Sequence, residues 1–251
     1  MSLRILASTT GRILRQLRHD RRTVALLLLV PILLLTLIYF MFQGEPLLPG
    51  IPSTFDRIGL IMLGVFPFVI MFLITSIAML RERTKGTLER LLTTPLGKID
   101  LLFGYGIAFG IAAAIQAVVA AAVSYWFLGL TTAGSTVLVI VIAVANAVLG
   151  VSLGLLCSAF ARTEFQAVQF MPVVVLPQAL LCGLFVSRDQ MAGWLEGVSN
   201  VMPMTYAVQA LQEVGRHSDP TGTMWRDLGI VVGCVLVALI LAAATLRRRS
   251  P

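Results

Sequence analysis

The sequence predicts an all-α polytopic membrane protein with six transmembrane helices. Three observations predict it. Of the 251 residues, 58% are hydrophobic and only 12% are charged, against roughly 45–50% and about 25% in soluble domains. Mean hydropathy is +0.93. Six stretches, near 23–42, 58–80, 101–128, 134–160, 165–187 and 228–246, reach the length of about 20 apolar residues that crosses a bilayer. None of the six carries Asp, Glu, Lys, Arg or His in its interior. This composition excludes a disordered chain and a disulfide-stapled module, and it leaves little room for a soluble enzyme. Residues 1–251 read as a single transmembrane domain.

Taken in order, residues 1–22 place Leu3, Leu6, Ile13, Leu14 and Leu17 at near-helical spacing among Arg4, Arg12, Arg15 and Arg18. That pattern suits an amphipathic helix lying on an anionic leaflet, with a basic tail as the alternative. The first apolar run is too long for a signal peptide and has no small-residue cleavage site after it. Pro31, Pro67, Pro172 and Pro177 fall inside spans, where kinks are tolerated.

Between the second and third spans, residues 81–100 carry a charged, capped segment. Gly86 gives a turn, Glu89 suits the first turn of a helix, Leu88, Leu91 and Leu92 share a face, and Pro95 stops it. It is either a docking element or a simple positive-inside anchor. Residues 188–226, before the last span, contain two short helical patterns at 190–198 and 204–215, separated at Pro203. With Trp194, Met202, Met204, Tyr206 and Val208 they are too apolar for a solvated loop. A re-entrant or interfacial helix pair fits, and interfacial anchoring by Trp194 and Tyr206 fits equally.

Fifteen of the nineteen Lys and Arg side chains lie on one side of the six-span layout, namely in the N-terminal tail, 81–98, Arg162 and 247–249. Arg57, Arg188, Arg216 and Arg226 lie on the other. The bias puts both termini in the cytoplasm. Basic residues flanking apolar runs indicate membrane orientation rather than nucleic-acid binding.

Much chemistry is absent. There is no G-x-x-x-x-G-K-[ST] loop, so the chain does not itself hold ATP in that way. His19 and His217 fall on opposite sides. Cys157, Cys182 and Cys234 lie in apolar runs without metal or disulfide spacing. Gly150-Val151-Ser152-Leu153-Gly154 matches a hydrolase nucleophile pattern, but it lies mid-span without a base, and reads better as a close-packing face. Gly104, Tyr105, Gly106 and Gly110 likewise read as helix-contact residues. Without titratable groups in the spans, proton-driven transport is disfavoured. Work must then enter from outside the membrane, and the segment at 86–95 is the place for a partner to push. Thr75, Ser76, Gln116, Asn146, Gln169 and Gln178 are polar positions within spans. They either line a path for an amphipathic substrate or bond between helices.

The run Arg81-Glu82-Arg83 through Gly86-Thr87-Leu88-Glu89-Arg90-Leu91-Leu92 to Thr94-Pro95 resembles the hallmark loop of type-2 ATP-binding-cassette exporter permeases. Phe185, Trp194, Pro203, Thr205 and Tyr206 resemble that family's pattern before the last span, although Met191-Ala192 stands where the family often has a proline. The resemblance implies a dimer of six-span permeases, identical or not, in the bacterial inner membrane. Each would dock a separate ATPase subunit, which holds the ATP and Mg, through the helix between its second and third spans. Glu82, Arg83, Gly86, Thr87, Glu89, Arg90 and Pro95 would then contact or brace that ATPase. The cargo expected for carboxylate-free spans is a drug, lipid or lipid-linked molecule. A non-transporting scaffold or regulator, and an intramembrane hydrolase, are the rival readings.

Overall fold

The computed structural model describes residues 3–45, 52–84 and 98–245. Among these there are nine α-helices, one 3₁₀ turn and no strand. Helix α1 (Leu3–His19) is amphipathic. Asp20 follows it and caps α2 (Arg21–Phe42) by accepting from the Thr23 backbone N–H at 3.2 Å and the Thr23 hydroxyl at 2.6 Å. Then come α3 (Thr54–Thr84), α4 (Lys98–Trp126), α5 (Thr136–Ser158) and α6 (Glu164–Leu181). A 3₁₀ turn (Arg188–Gln190), α7 (Gly193–Ser199) and α8 (Pro203–Arg216) lead to α9 (Gly222–Thr245). Helices α2 to α6 and α9 are each long and apolar enough to cross a membrane, so the chain is a multi-pass membrane protein.

Several boundaries differ from the hydropathy pattern, each for a local reason. Helix α6 stops at Leu181 rather than near 187, because Gly183 turns with φ +91°, a conformation that favours glycine. Helix α9 starts at Gly222, ahead of residue 228, because the Thr221 hydroxyl accepts from the Met224 N–H and donates to Glu213. The last span therefore takes in Arg226 and Asp227, and Asp227 is fully buried with Oδ1 held by Arg226 at 2.8 Å. Pro203 does not separate two helices but occupies the first turn of α8, where its missing N–H costs nothing. Helix α3 continues past Leu80 because each of the next three side chains finds a partner on another element.

Helix α3 is the centre of the bundle, and it pairs most extensively with α5. The reason is glycine. A Cβ on Gly150 would fall inside van der Waals contact of the Phe68 carbonyl oxygen, and one on Gly154 would sit 2.5 Å from the Phe72 carbonyl oxygen. Two glycines four residues apart thus let α5 lie directly on the α3 backbone. Asn146 then donates to the Gly64 carbonyl at 3.0 Å, one turn further along the same seam. Ser152, between the glycines, is fully buried and its hydroxyl donates to the Val148 carbonyl in its own helix.

The outer faces follow helical period. In α2 the buried stripe is Leu27, Pro31 and Leu35, while Leu26, Leu29, Leu33 and Leu37 stand exposed. In α9 the buried Leu228, Val231, Val235, Ala238 and Ala242 oppose the exposed Val232, Leu236 and Ile240. Exposed leucine stripes of this kind face lipid or a partner in a membrane protein.

The end distant from α1 is capped by α7 and α8, which are not equivalent. Helix α8 is packed into the bundle, with Met204, Ala207, Val208 and Leu211 fully buried. Its Val214 carbonyl accepts from the Gly134 N–H at 2.9 Å, tying it to the turn between α4 and α5. Helix α7 is peripheral, and Trp194 on it is 72% exposed. Tyr206 donates its hydroxyl to the Asn200 carbonyl at 2.6 Å, and Arg188 reaches both Gln209 and Asn200.

Candidate functional site at the arginine-rich end

Consecutive helical side chains point about 100° apart. At the end of α3 this spreads Arg81, Glu82 and Arg83 toward three different neighbours. Arg81 reaches Glu164, the first residue of α6, with Nε 2.8 Å from Oε1 and Nη2 2.9 Å from Oε2. Arg83 donates from Nη1 to the Ser158 carbonyl at 3.0 Å. That carbonyl is at the C-terminal, electronegative end of α5, where a cation is favoured. Glu82 is buried at 7% exposure and faces Arg12 on α1, Oε1 to Nη1 at 3.6 Å. The Arg12 Nη2 also donates to the Tyr105 hydroxyl on α4 at 3.4 Å, and Tyr105 in turn hydrogen-bonds Glu82. One turn of α3 is therefore joined to α1, α4, α5 and α6.

Helix α1 is held against α4 by shape as well as charge. The Thr9 methyl fills the place of a side chain at Gly104, where an added Cβ would lie 2.8 Å from it. The Thr10 hydroxyl donates to the Gly104 carbonyl at 3.5 Å, and Ile13 is buried in the same contact. Glycine at 104 is thus a helix-contact residue, as its setting in the sequence implies. Asp20 sits beside this cluster, and the Thr23 hydroxyl and N–H it accepts from hold its carboxyl below the usual carboxylate range, with a smaller contribution from the Arg81 charge.

Of the loop residues singled out in the sequence, Glu82 and Arg83 are those the structure describes. Gly86, Thr87, Glu89, Arg90 and Pro95 lie outside the described residues. Thr75, Ser76, Gln116 and Asn146 are fully or almost fully buried between helices of this one chain. Gln178 is also buried, bonding the Val174 carbonyl and accepting from the Met204 N–H. Gln169 on α6 is exposed. Sequence reasoning missed Tyr105, Ser158 and Glu164 as partners of the Arg-Glu-Arg triplet. The available signal was that Glu164 opens an apolar run with a charge that has no use in lipid.

Comparison with known proteins decides the family. A family model described as ABC-2 type transporter matches residues 4–214. The chain belongs to the ABC-2 type transporter family. All residues of the triplet and its partners fall within the matched stretch of this ABC-2 chain. It is similar to a probable multidrug ABC transporter permease, YbhR, of Escherichia coli K12, at 28% identity over 62% of this chain and 42% of that protein. It is similar to ABC transporter G family member 20 of Dictyostelium discoideum, at 24% identity over 70% of this chain and 24% of that protein. The linearmycin resistance permease protein LnrN of Bacillus subtilis matches at 24% identity over 54% and 35%. The chain thus spans less than half the length of these relatives.

Proposed function

We propose that this chain is the membrane permease subunit of an ATP-driven ABC exporter in the bacterial inner membrane, with both termini in the cytoplasm. It moves a lipophilic or amphipathic cargo, such as a drug or lipid, outward from the cytoplasm or inner leaflet. ATP and Mg²⁺ are held by a partner ATPase subunit, and a second permease subunit, identical or not, completes the membrane body. The ATPase docks at 86–95, and Glu82, Arg83, Gly86, Thr87, Glu89, Arg90 and Pro95 contact or brace it.

One observation carries this reading. The turn of α3 that leads directly into the docking segment is bonded to four other helices through Arg81, Glu82 and Arg83. A displacement imposed beyond Thr84 is passed to α1, α4, α5 and α6 together, which is what coupling to a membrane body requires. A simple anchor has no need of such connections. Within the spans, Gln169 faces the cargo path, Asn146 and Gln178 tie neighbouring helices by hydrogen bonds, and Thr75, Ser76 and Gln116 are buried between the helices that move along it. The names of the relatives from Escherichia coli and Bacillus subtilis support a drug-like cargo.

The test is transport by the complex of this chain with its ATPase in proteoliposomes. Export of an amphipathic dye is expected only with ATP, and Glu89→Lys is expected to leave insertion intact while uncoupling ATP hydrolysis from export. Equal export with and without ATP defeats the mechanism. ATP hydrolysis by the bound partner that no substrate stimulates favours a scaffold.

A further inference from the structure

At the arginine-rich end a cavity of about 500 Å³ lies between α1, α2, α3 and α4. Its walls include Ile74, Ile77 and Phe109, and its polar side carries Arg12, Arg81, Asp20 and Glu82. We propose that this cavity holds the head group of a membrane phospholipid that bears both a phosphate and a protonated primary amine. The inference stands apart from the transport reading, because it concerns a resident lipid and not the cargo.

The charge pattern selects that chemistry. Two cations and two anions face one space, so a purely anionic head group meets Asp20 and Glu82, and a purely cationic one meets Arg12 and Arg81. A head group carrying both signs offers its phosphate to the remaining donors of Arg12 and Arg81 and its amine to Asp20. The guanidinium of Arg12 has donors to give, since its contacts to Glu82 at 3.6 Å and to Tyr105 at 3.4 Å lie at or beyond the limit of good hydrogen bonds. Arg81 commits Nε and Nη2 to Glu164, which leaves Nη1 outside that pair. Asp20 is exposed, and its oxygens each accept one bond from Thr23. A carboxylate accepts more, and an ammonium N–H supplies them where a quaternary amine does not.

The position fits a lipid rather than a free head group. Leu26 lines the cavity and is 60% exposed. It begins the exposed α2 stripe that continues through Leu29, Leu33 and Leu37. Acyl chains leaving the cavity therefore run along an apolar face already turned away from the bundle.

The experiment uses the full chain in phosphatidylcholine nanodiscs doped with a diazirine-bearing phosphatidylethanolamine or, at equal fraction, a diazirine-bearing phosphatidylglycerol. Labelled peptides are mapped by mass spectrometry. Phosphatidylethanolamine is expected to label α1, α2 and the adjacent part of α3 at least about tenfold more than phosphatidylglycerol, the scale of a charge-assisted contact. Asp20→Asn keeps the helix cap, and it is expected to bring the ratio close to one, whereas Arg12→Gln removes a phosphate donor that serves both lipids and is expected to reduce labelling by both. Ala78→Leu, which fills the cavity wall, is expected to reduce labelling by both lipids. Thermal unfolding of the same samples separates these effects from misfolding. Equal labelling by the two lipids, labels elsewhere on the chain, or an unchanged ratio in Asp20→Asn overturns the proposal. Competition by soluble phosphoethanolamine as effective as by the lipid overturns the lipid assignment.

Discussion

Arg81 and Glu164, 83 positions apart in sequence, meet as a two-point pair, with both carboxylate oxygens engaged at 2.8 and 2.9 Å. Each side chain is about half exposed, at 50% and 52%. A pair of that exposure contributes at most about 1 kcal/mol to stability. Its consequence is geometric, since it fixes the start of α6 to the end of α3. Reversing one charge, by Arg81→Glu or Glu164→Arg, is expected to move the thermal midpoint little and to reduce ATP-driven export by the complex severalfold. Combining the two reversals is expected to recover most of that export. A double variant no better than either single one shows that the connection carries no motion.

Arg12 and Glu82 are a different kind of pair, because Glu82 is buried. Removing Arg12 leaves a carboxylate with little water and one fewer compensating charge. Arg12→Met is expected to destabilise the protein by roughly 1–3 kcal/mol, measured by unfolding in detergent. Adding Glu82→Gln to that variant is expected to return part of the loss, since the uncompensated charge is then gone. Strict additivity of the two changes counts against a direct interaction.

The membrane architecture was legible because it is written in long apolar runs. Composition placed six spans, and the four-residue spacing of Gly150 and Gly154 suggested a packing role that their close approach to Phe68 and Phe72 bears out. The termini of α6 and α9 were not legible from hydropathy. They depend on the backbone at Gly183 and on the Thr221 cap, which are local events that a hydropathy window averages away. The site was half legible. The triplet at 81–83 was evident as charge beside a span. Its partners at Arg12, Tyr105, Ser158 and Glu164 are brought to it only by the fold, and no periodicity links positions so far apart.

Asp20 gives a pH dependence of known sign. Its folded carboxyl titrates below the ordinary carboxylate value, with the Thr23 hydroxyl as the main cause. The stabilisation is therefore fully present above about pH 4, the usual Asp value, and is lost as pH falls through the folded value. Melting measured from pH 5 downward is expected to show a decline that is smaller in Asp20→Asn, which keeps the cap but does not ionise. Identical profiles in the two proteins show that the cap contributes no titrating term.

The buried Gln116 on α4 offers a separate test of the polar span residues. It is 1% exposed, and neither amide atom has a hydrogen-bond partner among the described residues. A buried unpaired amide costs about 1–3 kcal/mol. Gln116→Leu is expected to raise the unfolding midpoint while lowering export, if the amide is kept for a state in which α4 has moved. A destabilised Gln116→Leu shows instead that the amide is satisfied in this packing.

The seam between α3 and α5 allows the sharpest contrast. At Gly154 an added Cβ meets the Phe72 carbonyl oxygen at 2.5 Å and its Cα at 3.2 Å. These are backbone atoms inside a helix, so they cannot swing aside as a side chain can. Gly154→Ala is expected to push the helices apart and cost about 1–3 kcal/mol, despite alanine's better helix propensity. At Gly106 a Cβ meets only the Leu239 Cδ2, at 3.6 Å, which is ordinary contact. There Gly106→Ala is expected to stabilise by up to about 1 kcal/mol. Ser152, lying between Gly150 and Gly154, bonds its own helix at Val148 among the described residues, so Ser152→Ala is expected to change export little. Opposite shifts at 154 and 106, with an active Ser152→Ala protein, fit a packing seam. Loss of function confined to Ser152→Ala points instead to chemistry at that hydroxyl.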